Sequence, residues 1–184
     1  TGVQTCALPI FIEAGHLDDG SASAGTPTAS GTLSRSDVDA SATVAWSLQG
    51  TPSTTYGTIA LDESTGVWTY TLDNTLATTQ ALMEGEVVTQ TYVARATDDF
   101  GAYVDQTLTI TINGTNDVPV VTNAASATVG SVIEAGHLDD GSASAGTPTA
   151  SGTLSRSDVD ASATVAWSLQ GTPSTTYGTI AQIG

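Results

Sequence analysis

The side chains best suited to chemistry in this sequence are acids grouped in turn-like segments. SDVDAS occurs twice, TDDFGA occurs once, and an Asn-Asp pair stands before a Val-Pro step. Calcium takes roughly six to eight oxygen ligands and tolerates irregular geometry, so carboxylates combined with Asn and backbone carbonyls suit it. Calcium is therefore a candidate cofactor, with these candidate ligands: Asp37, Asp39, Asp98, Asp99, Asn116, Asp117, Asp158 and Asp160.

A second interpretation of the same acids is that they are solvated turn residues. Asp favours turns, and a high net charge keeps neighbouring modules from associating. Glu13 and Glu134 are weaker calcium candidates than the Asp residues. Both interpretations stay open at the level of sequence.

The sequence offers no arrangement typical of an enzyme. His16 and His137 occupy the same place in two copies of one segment, and no Ser or Cys arrangement around them suggests a nucleophile. Gly-rich phosphate loops, zinc-ligand spacings and basic patches with aromatic residues do not occur in it. We expect no enzyme activity and no catalytic or cofactor-binding residue apart from the candidate calcium ligands.

The charge composition restricts the possible partners. The chain carries 19 acidic residues against 3 basic ones, all arginine, for a net charge of −16. Such a chain repels nucleic acid and anionic membranes. No apolar run reaches the roughly 18 residues that cross a bilayer, and no cleavable signal sequence is visible. We expect neither nucleic-acid binding nor membrane insertion.

The chain is organised around a duplication. Residues 12–60 recur letter for letter as residues 133–181. Identity over such a length is typical of a tandem array of modules. We predict a complete module over 12–116, a linker and first strand of the next repeat over 117–132, and a truncated second copy over 133–181.

The two ends of the chain have a different character. Residues 1–10, TGVQTCALPI, resemble the conceptual translation of a common sequencing-adapter oligonucleotide, and QIG at 182–184 resembles the opposite adapter strand. We interpret residues 1–11 and 182–184 as adapter artefacts and leave them out of the fold prediction. Outside those segments the chain has no cysteine, since Cys6 is the only one.

The strand signals predict an all-β fold. TVAWSLQ and the later part of YVDQTLTITING alternate apolar with polar residues, the period of a half-buried strand. Only NTLATTQALMEGE has helical character, as a brief helical crossover. About seven short strands separated by turn signals indicate an antiparallel β-sandwich.

Such a topology also predicts where the acids lie. The SDVDAS loop, the LDES hairpin and the TDDFGA hairpin would gather at the pole where the chain enters the module. Asn116 and Asp117, at the exit, would face the corresponding pole of the following module, which presents Asp158 and Asp160.

Three motifs then carry a resemblance to a known family. They are GTLSRSDVD at residue 31, the YGT hairpin followed by WTYTLDN, and GTNDVP before residue 120. In this order they resemble the VCBS repeat family over residues 31–119, with a second partial match over 152–181. GTNDVP is also similar to the calcium-binding linker of cadherins, although Gly, Thr and Val stand where cadherins carry further acids.

The resemblance implies an immunoglobulin-like or cadherin-like module of a large, repetitive bacterial surface or secreted protein. Such proteins are often adhesins exported with calcium-binding RTX sequences. It implies an extracellular spacer that contacts neighbouring repeats, while other modules contact a surface glycan or protein receptor. The alternative is an accessory carbohydrate-binding module of a secreted enzyme. Trp46, Trp68 and Tyr70 could stack on sugars, but their alternating positions favour a core.

The truncation yields a first prediction. Residues 133–181 lack every counterpart of residues 61–116, so Trp167 cannot be covered as Trp46 is. Residues 61–116 should pair with the first copy, because the strand from Tyr56 continues unbroken through Leu61 there. Amide hydrogen exchange should be far slower in the strand of Trp46 than in the segment of Trp167; equal protection would contradict the prediction.

Overall fold

A computed structural model describes residues 9–17, 19–38 and 43–182. The candidate ligand Asp39 lies outside these residues. The chain divides into two compact units. The first extends to Val118 and includes Val159–Ala161, and the second comprises Pro119–Asp158 and the chain from Ser162 onward.

The first unit is built from strands. They are β1 (Ile10–Ile12), β2 (Gly15–His16), β3 (Ala22–Ser23), β4 (Thr28–Thr32), β5 (Val44–Gln49), β6 (Gly57–Leu61), β7 (Val67–Leu72), β8 (Val87–Asp98) and β9 (Tyr103–Asn113). The helix α1 (Ala77–Gln80) lies between β7 and β8. A four-stranded sheet has the order β1-β9-β8-β5, a three-stranded sheet has the order β4-β7-β6, and β2 pairs with β3. The predicted all-β class is confirmed.

The strand pattern in the sequence explains which faces are buried. In β7, Trp68, Tyr70 and Leu72 are buried while the residues between them are exposed. In the later half of β9, Leu108, Ile110 and Ile112 are buried and the residues between them are half-buried. This two-residue period follows from the pleat of a strand, which turns successive side chains to opposite faces.

The two larger sheets contribute to one hydrophobic cluster. Trp46, Tyr92 and Ile110 come from the four-stranded sheet, and Trp68 and Tyr70 come from the three-stranded sheet. All five side chains are at most 5% exposed. The aromatic residues that could have formed a sugar platform therefore lie in the core.

One core residue, Phe11, lies in the segment that the fold prediction left out. Phe11 is fully buried, and its ring meets that of Tyr70 edge-on with the centroids 4.8 Å apart. It lies in β1, which runs parallel to β9 with Phe11 opposite Ile112. The pairing is therefore not antiparallel throughout, because β1 joins the sheet in the direction of β9.

A buried polar network links the core to the loop before β6. The hydroxyl of Tyr70 donates to Oε1 of Gln90 at 2.6 Å, and Nε2 of Gln90 donates to Oγ of Ser53 at 2.9 Å. The hydroxyl of Tyr92 donates to the backbone carbonyl of Ser53 at 3.0 Å. Buried polar groups are costly unless they are paired, so this network fixes the loop against the sheet.

The second unit has little regular structure. Its strands are β10 (Val120–Val121), β11 (Gly136–His137), β12 (Ala143–Ser144) and β13 (Arg156–Ser157), with a 3-10 helix at Ala125–Thr128. β10 pairs with β13, and β11 pairs with β12. Across the residues that the structure describes, no helix is long and apolar enough to cross a membrane.

Replacing Gln90 with Leu should destabilise the first unit by about 1–3 kcal/mol, because the buried hydroxyl of Tyr70 loses its acceptor. Urea unfolding followed by tryptophan fluorescence measures the loss. Gln106→Leu is the matched control, since Gln106 is exposed on the neighbouring strand β9. It should change stability by no more than about 0.5 kcal/mol. Equal losses in both variants would contradict a structural role for the network.

Candidate functional site

The most unusual acid in the first unit is Glu13, which sequence analysis ranked as a weak candidate. It follows β1 directly, and its backbone N–H donates to the carbonyl of Asn113 at 3.0 Å. This bond continues the pairing of β1 with β9 by one residue and turns the side chain inward. Glu13 is fully buried.

Two elements distant in sequence enclose the Glu13 carboxyl group. Nε2 of Gln80, at the end of α1, donates to Oε1 at 3.2 Å. The backbone N–H of Thr115 donates to Oε2 at 3.4 Å, and Oγ1 of Thr115 donates to the backbone carbonyl of Glu13 at 3.1 Å. The hydrogen bonds to the carboxyl group thus come from α1 and from the segment that follows β9.

The segment that follows β9 is held against β2. The backbone N–H of His16 donates to the carbonyl of Asn116 at 2.7 Å. A Cβ on Gly15 would stand 2.7 Å from the same carbonyl oxygen, so this close approach requires glycine. Nδ1 of His16 lies 3.7 Å from Oδ1 of Asp117.

Asp117 also contacts Asp160, which comes from the second copy of the duplicated sequence. The backbone N–H of Asp117 donates to Oδ2 of Asp160 at 2.8 Å. The backbone N–H of Ala161 donates to the carbonyl of Ala81 at 3.0 Å, just beyond α1. Asp160 is 7% exposed. We call Glu13, Asp117 and Asp160 the acidic cluster.

The pKa of Glu13 is raised from an ordinary 4.5 to about 7, chiefly by burial and in smaller part by the negative charges of Asp117 and Asp160. The hydrogen bonds from Thr115 and Gln80 oppose this shift without cancelling it. The Glu13 side chain therefore holds a proton over part of the pH range in which an ordinary glutamate is charged.

The other predicted ligands do not join this cluster. Oδ1 of Asp99 accepts from N and from Oγ1 of Thr43, each at 2.6 Å, and Oδ1 of Asp98 accepts from the N–H groups of Phe100 and Ala102 in its own turn. Hydrogen bonds from Thr43 hold the pKa of Asp99 below its usual value. These two acids behave as turn residues.

The register of β8 and β9 explains the separation. Thr97 pairs with Tyr103 beside the Asp98 turn, whereas Val87 pairs with Asn113 at the other end of the same two strands. Since β1 lies along that second end, the Asp98 turn is at the opposite end of the sheet from Glu13. The prediction that the acidic hairpins lie where the chain enters is wrong for this reason.

The remaining candidates differ in exposure. Asp37 is exposed, Asp158 is half-buried and belongs to the second unit, and Asn116 is exposed beside Asp117. Within the described residues, no group of three or more His, Cys, Asp or Glu side chains is close enough together to hold a metal ion as it stands. Any cation that binds the acidic cluster must also use backbone oxygens, Asn116 or small side-chain movements.

No known family model matches this chain, and no curated protein matches it significantly. Conclusions about its activity therefore depend on the residues themselves.

Sequence reasoning underrated Glu13 because its surroundings are tertiary. Glu134 has the same neighbours in sequence and is exposed. The residues that bury Glu13 come from α1 and from the end of β9, and the second copy has no counterpart of either. Its position directly after an apolar β1 was the only local signal.

The raised pKa makes the stability of the first unit depend on pH. A group whose pKa is raised by folding stabilises the fold fully below its unfolded value and loses that contribution as the pH rises through the folded value. With calcium removed, stability should fall between pH 4.5 and about 7, by on the order of 3 kcal/mol.

Glu13→Gln should remove this dependence and exceed the wild type in stability at pH 8. Glu134→Gln is the matched control, because the same residue in the second copy is exposed. Urea unfolding across the pH range measures both. A wild-type profile that is flat between pH 4.5 and 7, or an equal effect of the two substitutions, would contradict the assignment.

Proposed function

We propose that the chain is part of an extracellular array of adhesive spacer modules, in which each complete module is an immunoglobulin-like or cadherin-like β-sandwich. The observation that carries this proposal is the letter-for-letter repetition of residues 12–60 at 133–181. Repeated identical modules lengthen a stalk without requiring a new site in each copy. The shared core of the four-stranded and three-stranded sheets supports the sandwich architecture.

The resemblance to VCBS repeats supports the same proposal. Under this proposal the array belongs to a bacterial surface adhesin, in which neighbouring repeats are the immediate partners and other modules bind the glycan or protein receptor. The net charge of −16 is compatible with a long, soluble, self-repelling array.

We also propose that calcium binds the acidic cluster and stiffens the connection to the following module. Burial, together with the negative charges of Asp117 and Asp160, raises the pKa of Glu13 and favours a proton on its carboxyl group. A divalent cation would replace that proton and neutralise Asp117 and Asp160. Asn116 and the backbone carbonyls of the linker supply further oxygen ligands of the kind that calcium accepts.

The alternative function, carbohydrate binding, receives less support. Trp46, Trp68 and Tyr70 are at most 3% exposed, so none of these rings can stack on a sugar. No other observation on the described residues favours that function.

Calcium should raise the melting midpoint of a chain in which residues 61–116 also follow the second copy, so that two modules are complete. At millimolar calcium the rise should be about 5 °C, since ligand binding to the folded state alone stabilises it. Differential scanning calorimetry with calcium or a chelator measures it.

Asp117→Asn should abolish most of this rise. Glu84→Gln removes the same charge from an exposed position near α1 and should leave the rise intact. The calcium proposal fails if the midpoint does not move at millimolar calcium, or if both variants respond equally. The spacer proposal does not depend on that result.

A further inference from the structure

The chain enters the first unit through β1 and leaves it after β9, and these two strands run side by side in the same direction. We propose that residues 10–16 and 111–116 form a mechanical clamp, which gives the module a further function: it bears tension applied along the array. This inference rests on the proposed spacer function, because a spacer is a module that is pulled at both ends.

The parallel direction decides how a stretching force loads the clamp. Ile10 lies opposite Thr111, and Ile12 lies opposite Asn113. The chain therefore arrives at one end of the pair and departs from the other, so pulling on both ends slides β1 along β9. The hydrogen bonds of a parallel pair are evenly spaced, and sliding strains them together. Several bonds must then break at once before the strands separate.

Hydrogen bonds continue the clamp beyond the end of β1. The backbone N–H of Glu13 donates to the carbonyl of Asn113 at 3.0 Å, and that of His16 donates to the carbonyl of Asn116 at 2.7 Å. Between them, Oγ1 of Thr115 donates to the carbonyl of Glu13 at 3.1 Å, and its N–H donates to the Glu13 carboxyl group at 3.4 Å. The clamp thus reaches from Ile10 to His16, although β1 itself has 3 residues.

The centre of the clamp is closed to water. Phe11 and Glu13 are fully buried, and Thr115 is 9% exposed. Sliding β1 out of place draws the ring of Phe11 away from Tyr70. It also breaks buried hydrogen bonds before water can replace the lost partners, which makes each break more costly than at an accessible position.

The entering segment is also attached to elements other than β9. The backbone N–H of Ala14 donates at 3.1 Å to Oδ1 of Asn74, which follows β7. The N–H of Thr26 donates to the carbonyl of Ile12 at 2.8 Å, and β2 pairs with β3. Tension that reaches Ile10 therefore meets attachments to both larger sheets before it pulls on the strands of the core.

The chain carries the same load to the next copy at the corresponding place. After Asn116 it continues through residues 117–132 to Ile133, which is the counterpart of Ile12. Tension along the array thus leaves one module beside the end of β9 and enters the following copy at the counterpart of β1. The two strands that form the clamp are the two that the array pulls.

Magnetic tweezers at constant force test the clamp in the full chain, by comparing two pulling directions. One handle is attached at Cys6, the only cysteine, which precedes β1. The second is attached at Val120→Cys, beyond β9, or at Phe100→Cys in the turn before β9, where the native side chains are 57% and 90% exposed. A chelator is present throughout, so that calcium makes no contribution.

The two directions load the same hydrogen bonds differently. Pulling against residue 120 slides β1 along β9. Because β1 lies along the last residues of β9, the turn at residue 100 is on the side from which the chain enters β1. Pulling against that turn bends the entering segment back and opens its bonds one at a time. At equal force, the lifetime should be more than about tenfold longer for residue 120.

Matched variants separate the clamp from general stability. With the handles at residues 6 and 120, Thr115→Val removes the hydroxyl that donates to Glu13 and should shorten the lifetime about fivefold. Gln90→Leu weakens the core network instead. It should leave this lifetime within about twofold although it lowers stability in urea, because the core is still intact when the clamp breaks.

Equal lifetimes in the two pulling directions would overturn the clamp, and so would a loss in Gln90→Leu as large as that in Thr115→Val. Neither result bears on the spacer function. Antibody labelling of intact cells that produce the protein tests that function separately, since a spacer of a surface array must be accessible from outside.

Discussion

The antiparallel pairing of β5 with β8 is the interaction on which the first unit depends. The pairing runs from Val44 opposite Asp98 to Gln49 opposite Val93. It positions Trp46 within the hydrophobic core. The duplicated sequence provides an internal comparison, because the same residues at 165–170 pair with no strand and form none. Alternation of apolar and polar residues makes TVAWSLQ able to form a strand, and the partner decides whether it does.

The same dependence extends to the chemistry. Glu13 and Glu134 are followed by identical sequence, yet only Glu13 is buried. Gln80 and Thr115 make the difference, since they arrive through α1 and through the end of β9. The burial of Glu13 in the acidic cluster is therefore a product of the folded first unit. The negative charge of the cluster extends into the segment after β9, because Asp117 lies in that segment.

Some parts of this structure could be predicted from sequence, and others could not. The alternation in β5, β7 and β9 and the brief helical character before Gly85 are local signals; the strands appear where the alternation indicates, whereas the helix already ends at Gln80. The parallel β1 could not be predicted, because three apolar residues do not show which neighbour they join. Without that pairing, the acidic hairpins were predicted at the wrong end of the sheet. The burial of Glu13 was also not predicted, because it depends on β1 lying along the end of β9. Asp98 and Asp99 fit the turn interpretation, because Oδ1 of Asp98 accepts from N–H groups of its own turn and Oδ1 of Asp99 accepts from Thr43.

The central claim is that residues 61–116 determine whether the duplicated sequence forms strands. The most direct test is residue-resolved amide exchange in a chain where residues 61–118 follow Ala181 without interruption. The account predicts that the amides of residues 165–170 become as protected as those of Val44–Gln49, while the hairpin at residues 136–144 changes little. Amides at 165–170 that stay unprotected in this longer chain would contradict it.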